Sequence, residues 1–243
     1  MNSFTYNGVN SLDMGLRIES KRVFNAPNFD SRFQTIPGRD GDLILPDGRY
    51  PNVQITYSVF LPAKSIAELQ EKVTAVKSWL YTQPDRYHDL RDTYDTECFR
   101  RAVLNNALDI EDELNKIGVF TVSFSCLPFK YLDSGQTAVS LTTGGGSTLV
   151  NPTFFDARPL IRINGSGDGT LRIVNQKILV FEMSGVDSFL YIDAVQMNCY
   201  KGAESMNDKI KSDSFPVLNP GQNVFVFSGG ITSIEVTPGW VTL

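Results

Sequence analysis

Val53-Gln-Ile-Thr-Tyr-Ser-Val-Phe60 decides how the first half of the chain reads. Val53, Ile55, Tyr57 and Val59 recur at every second position, with Gln54, Thr56 and Ser58 between them. Only a pleated strand puts residues two apart on one face, so one side of this strand is made for a core. What covers that side follows a few residues later. Ser65-Ile-Ala-Glu68 fits a capping box, in which the Ser hydroxyl takes a first-turn amide and the Glu reaches back to the cap. Ile66, Leu69, Val73, Val76 and Leu80 then step by three and four, with Glu71, Lys72 and Lys77 off the stripe, and Pro84 lies just past the expected end. A helix over 65–80 packing on a sheet is the expectation.

Outward from this pair the chain is β throughout. Upstream, Ser3 to Tyr6 alternates, Asn7-Gly8 signals a turn, and Leu12 to Ile18 reads as a strand. Phe33 to Ile36 runs extended into Pro37-Gly38-Arg39-Asp40-Gly41, and Asp42 to Leu45 leads to a second turn cluster, Pro46-Asp47-Gly48. Downstream, strands are expected at Arg86 to Leu90, Glu97 to Asn105 and Val119 to Cys126, and the acidic run Asp109 to Glu113 reads as a solvated loop tip. Between Ser134 and Ser147 the texture changes to small polar residues centred on Thr142-Thr-Gly-Gly-Gly146. From there no helical stripe appears. Short strands at Leu160 to Ile163, Thr170 to Val174, Lys177 to Glu182, Phe189 to Ile192, Val224 to Phe227 and Ile231 to Val236 predict a β-sandwich. The expected organisation is an α+β, β-rich domain over 1–134 with one main helix, followed by an all-β domain over 135–243.

Composition narrows the function classes. Of 243 residues 42% are apolar and 20% charged, which suits a globular protein, and the net charge of −5 disfavours a basic nucleic-acid-gripping surface. Cys98, Cys126 and Cys199 have no Cys-x-x-Cys spacing, so reduced thiols are expected. Met1 to Asn10 lacks a basic n-region and an apolar core, and no window is long and apolar enough to span a membrane, so a soluble cytoplasmic product is expected.

Chemistry needs groups that can be activated, and few are on offer. His88 is the one histidine, which excludes His-x-x-x-His zinc sites and leaves any Ser-His-Asp arrangement resting on it alone; no Gly-x-Ser-x-Gly elbow accompanies it. Spacing leaves paired-carboxylate glycosidase chemistry open, but no pair stands out. Asn164-Gly-Ser-Gly-Asp168-Gly169 starts like a calcium loop, yet Asn175 stands where a bidentate Glu is required, and its glycines do not fit a dinucleotide fingerprint. A tight hairpin between the flanking strands explains it. No catalytic, metal or cofactor site is expected.

Taken in order, several segments resemble the distal tail protein family of siphophages. In the first half they are Phe4-Thr-Tyr-Asn-Gly8, Leu12 to Ile18, Ile36-Pro-Gly-Arg-Asp-Gly41, Val53 to Phe60, Trp79-Leu80 and Gly118 to Pro128. In the second they are Asn151-Pro152, Arg158-Pro-Leu-Ile-Arg-Ile-Asn-Gly165, Tyr191-Ile-Asp193, Phe215-Pro-Val-Leu-Asn-Pro-Gly-Gln-Asn223 and Ile234 to Trp240. The resemblance implies a ring-forming N-terminal domain and a galectin-like C-terminal sandwich in a virion tail component assembled in the host cytoplasm. It implies a homo-hexameric hub between the tail tube and the baseplate or tip, with a tail-associated fibre or lysin protein below and receptor-binding proteins as further partners. Larger relatives carry inserted carbohydrate-binding modules, for which this chain has no room.

An acidic protomer repeated around an axis suits a conduit that DNA passes through without sticking. A closed ring needs a heterologous interface, and unpaired strand edges are natural contributors. Pro37, Gly38, Arg39, Asp40 and Gly41, with the strand carrying Val53, Ile55, Tyr57 and Val59, are the candidate subunit contacts; an ordinary hairpin turn explains the loop equally well. An alternative function is a carbohydrate-binding sandwich attaching the virion to host cell-wall sugars. Trp240 is the one Trp of the second half, which has no His, and reads as packing; Phe154 and Phe155 read as cover for the seam between the halves.

Overall fold

A computed structural model describes residues 2–113, 116–142 and 145–243, so Thr143 and Gly144, inside the small-residue stretch, lie outside the described residues. The chain divides into two compact units, Met1–Lys130 and Tyr131–Thr242.

In the first unit, β1 (Phe4–Tyr6) and β2 (Val9–Asn10) form a hairpin, followed by β3 (Arg17–Arg22), β4 (Ser31–Gln34), β5 (Leu43–Pro46), β6 (Val53–Pro62), α1 (Ile66–Leu80), β7 (His88–Asp92), β8 (Asp95–Leu104), β9 (Glu111–Glu113) and β10 (Ile117–Cys126). The main sheet runs β2-β1-β7-β8-β10-β6-β3, and β9 pairs with the start of β10. β6 and β10 pair antiparallel along their whole length, from Val53 opposite Cys126 to Pro62 opposite Ile117. Their inward residues and Leu69, Val76, Trp79 and Leu80 of α1 close one core. The Ser65 hydroxyl accepts the Glu68 amide at 3.3 Å, and the Glu68 carboxylate accepts the Lys64 amide at 2.8 Å, one residue before the cap. Trp79 adds a long-range tie, donating its indole N–H to the Tyr6 carbonyl at 2.9 Å.

Two expectations change here. Leu12 to Met14 make turns, not a strand: the Asn10 side chain accepts the Leu12 amide at 2.9 Å and the Gly15 amide bonds the Leu12 carbonyl at 3.0 Å, so regular pairing begins only at Arg17. Glu111–Glu113, expected in a loop tip, is a short strand on β10.

β11 (Lys130–Leu132) straddles the division, and the second unit contains β12 (Val139–Leu141), β13 (Ser147–Asn151), β14 (Leu160–Val174), β15 (Ile178–Asp193), β16 (Asn198–Lys201), β17 (Glu204–Ser205), β18 (Ile210–Lys211), β19 (Gly221–Thr237) and β20 (Val241–Thr242). Its sheet runs β12-β19-β14-β15-β16-β17. Where six short strands were expected there are three long ones, β14, β15 and β19, each interrupted by small residues that the sequence reading took for turns. Asn164 to Gly169 is therefore a bulged bend inside β14, not a hairpin, with register shifts around Gly165–Gly169 against both neighbours. Glycine is required there because a Cβ on Gly165 would collide with the Gly230 carbonyl oxygen, and one on Gly230 with that of Ser166. Ile161 and Ile163 before the bend and Leu171 and Ile173 after it enter the same core, so the bend lets one strand line a core from two sides.

Candidate assembly surface

Between β3 and β6 the chain leaves the main sheet and builds a separate arm. Among the described residues β4 and β5 pair only with each other, in the register Ser31–Pro46, Arg32–Leu45, Phe33–Ile44 and Gln34–Leu43. The tip is fixed locally. Pro37 sets one turn dihedral and Gly38 takes φ +79°, and the Arg39 amide closes the turn on the Ile36 carbonyl at 3.1 Å. Thr35 donates to the Asp42 carboxylate at 2.8 Å across the loop. At the base, Arg49 pairs with Asp30 at 2.7 Å, Arg32 with Asp47 at 3.1 Å, and Tyr50 holds Phe29 and Phe129 edge-on at 5.1 and 5.5 Å.

What the arm lacks is a core. Phe33 and Ile44 face each other across the two strands and are 66% and 58% exposed, while Leu43 and Leu45 on the opposite face are also exposed. A lone two-stranded hairpin is marginal in water, and an apolar one with open edges invites pairing. Such an element gains its stability from whatever surface it meets. Burying a Phe or Ile side chain there contributes about 1.5–3 kcal/mol.

The candidate contact residues separate in space by role. Pro37, Gly38, Arg39, Asp40 and Gly41 form the exposed tip of this arm. Val53, Ile55, Tyr57 and Val59 are buried in their own unit's core, and β6 is paired by β10 along its length and by β3 from Thr56 to Phe60. Their side chains face that core, and β3 covers that stretch of the strand edge, so it is the arm tip that stands exposed. Phe33 and Ile44 went unread, although a Leu43-Ile44-Leu45 run facing a short strand between two Gly turns carried the signal.

His88 is a packing histidine: it is buried, its Nε2 lies 3.1 Å from the Gln83 carbonyl, and Tyr6 meets it edge-on at 5.5 Å. The Asp168 carboxylate accepts the Gly185 amide at 2.9 Å, which ties the β14 bend to β15. Trp240 is buried in the core of the second unit. Phe154 is 93% exposed. Among the described residues no group of three or more His, Cys, Asp or Glu side chains is placed to hold a metal ion, and no helix is long and apolar enough to cross a membrane.

The first unit coincides with a sequence match: residues 5–126 match the family described as the phage tail protein RIFT-related domain. No curated protein matches the sequence significantly. Among solved structures, the chain is similar to the Dit (gp 19.1) protein of SPP1, described as a paradigm of the hub adsorption apparatus in phages infecting Gram-positive bacteria. That likeness has 14% identity, a TM-score of 0.78 and full coverage of both chains, 100% each. It is also similar to a chain of the phage P2 baseplate in its activated conformation, solved with calcium and with strontium, at 9% identity, a TM-score of 0.51 and 97% of each chain. At these identities the likenesses speak for the fold. With half of its length matched by the family, the chain belongs to the phage tail proteins with a RIFT-related domain.

Proposed function

We propose that the protein is a structural hub of a phage tail. Six copies close into a ring around the tail axis, joining the tail tube to the baseplate or tip and its tail-associated fibre or lysin protein, with receptor-binding proteins further out. The first unit forms the ring and the second a galectin-like sandwich outside it. The product is a virion component assembled in the host cytoplasm, and no catalytic step belongs to it.

The observation that carries this reading is the arm: a two-stranded element with Phe33 and Ile44 in solvent and no partner strand among the described residues. In a cyclic assembly each arm reaches a different patch on the next copy, which is the heterologous contact a ring requires. Family membership and the likeness to a hub protein support the setting. The net charge of −5 per copy, repeated six times in the proposed ring, disfavours phosphate binding and suits a passage for DNA.

Native mass spectrometry of the full chain tests it. Hexamers are expected, alone or on addition of the tail-tube or fibre protein, and the double variant F33S/I44S is expected to stay monomeric with an unchanged far-ultraviolet spectrum. A wild type that remains monomeric with both partners present, or a double variant that assembles equally well, overturns the proposal.

A further inference from the structure

The second unit has an aliphatic face on the side away from its core. Past the β14 bend, Leu171, Ile173, Phe181, Phe225 and Phe227 enter that core, so the alternate residues of β14, β15 and β19 stand on the other side of the sheet. There the register brings them together. Val224, Val174 and Ile178 form one row across β19, β14 and β15, and Val226, Arg172 and Val180 form the next. Val150 of β13 extends the patch beside Gln222. Ile178 is 67% and Val150 58% exposed, and none of the six aliphatic side chains belongs to the core. A solvated strand face ordinarily alternates to polar residues, so six β-branched aliphatic side chains on one mark a contact surface.

One charge stands among them. Arg172 is exposed between Val226 and Val180 and, among the described residues, makes no ion pair or hydrogen bond with its side chain. Size then limits what can cover the face. Four strands and three rows span about 14 Å each way, roughly 200 Å². A stable free-standing pair needs about 800 Å² on each partner, so two such faces pressed together would not hold by themselves. A small element that is anchored elsewhere as well fits better.

The arm has the matching size, apolarity and charge. Its two strands of four residues are about 13 Å long, within the span of the face. Phe33 and Ile44 make one exposed apolar row. Period two puts Asp42 on the Ile44 side one row further out, and the bond from the Thr35 hydroxyl holds its carboxylate there. On the arm, then, a carboxylate follows an apolar row at about 7 Å, and on the sheet a guanidinium follows an apolar row at the same spacing. We infer that this face receives the arm of a second copy, with Phe33 and Ile44 against Val174 and Ile178 and the Asp42 carboxylate on the Arg172 guanidinium. Two sheets packed about 10 Å apart interdigitate side chains of this length. The contact names the patch that the proposed ring leaves open, and so rests on that ring.

Charge exchange in the full chain, read by native mass spectrometry over a concentration series, tests the contact. R172E, I178S and D42R are each expected to raise the concentration at half assembly about tenfold or more, because each sets like charges together or removes apolar cover. D42R/R172E, which exchanges the two charges, is expected to recover most of that loss. Rescue by exchange follows from a direct pair and not from general damage to either surface. Arg172 and Ile178 are exposed, so their variants are expected to keep the wild-type urea midpoint. A wild type that never assembles, even with the tail-tube and fibre proteins present, overturns the ring and this contact together. Assembly of R172E and I178S at the wild-type concentration, or a D42R/R172E protein no better than the worse single variant, overturns the contact alone and leaves the ring standing.

Discussion

Burial pushes the Cys126 thiol up to about 12 from its ordinary value of 9.0 and holds the Tyr57 phenol well above its own, where the nearby Asp92 carboxylate adds to the effect. Both groups are therefore neutral in the folded protein when the unfolded chain has begun to ionise. Only the unfolded state gains charge between pH 9.0 and about 12, so stability is fully present below that window and falls as pH rises through it. Melting temperature followed by circular dichroism should decline over this range, and less steeply in C126A; identical profiles for the two proteins would show that the thiol does not contribute. Gly165 answers to geometry, not to charge. G165A drives a methyl into the Gly230 carbonyl and should cost at least about 2 kcal/mol, read as a lower urea midpoint. An unchanged midpoint would mean that the strands part there freely.

At the level of elements, α1 was the most legible piece of the chain. Its cap, stripe and stop are all local, and the helix spans Ile66–Leu80 as the spacing predicts. S65A should cost about 1 kcal/mol by removing the oxygen that accepts the Glu68 amide, and equilibrium denaturation measures it. β6 was equally clear, because alternation survives when only one face is buried. The long strands β14, β15 and β19 were not. Each changes direction at a bulge made of Gly and Ser, and the residues that permit a bend within a strand are those that end one in a hairpin. Sequence order cannot tell the two apart; the partner backbone crowding Gly165 does. The arm was half legible. Pro37 to Gly41 announced a turn, but that β4 and β5 pair with no third strand is a long-range fact, and it is what turns Phe33 and Ile44 from ordinary strand residues into exposed ones. Likewise Arg162 is far from Tyr191 in the chain and meets it only through strand register.

For the whole molecule, assembly is the point at issue. β6 is paired by β10 along its length and by β3 from Thr56 to Phe60, so the apolar face of Val53–Pro62 stabilises the protomer, and the proposed association is assigned to the arm. An isolated hairpin with exposed Phe33 and Ile44 should open readily by itself and close on a neighbouring copy. Hydrogen exchange of the full chain at increasing protein concentration, read on the backbone amides of Ser31–Gln34 and of Leu43, Ile44 and Leu45, measures this directly. Protection of these amides is predicted to rise with concentration in step with hexamer formation, while that of Ile117–Cys126 stays constant. Arm amides already fully protected in the dilute monomer, or unprotected in an assembled hexamer, would contradict the proposed ring contact.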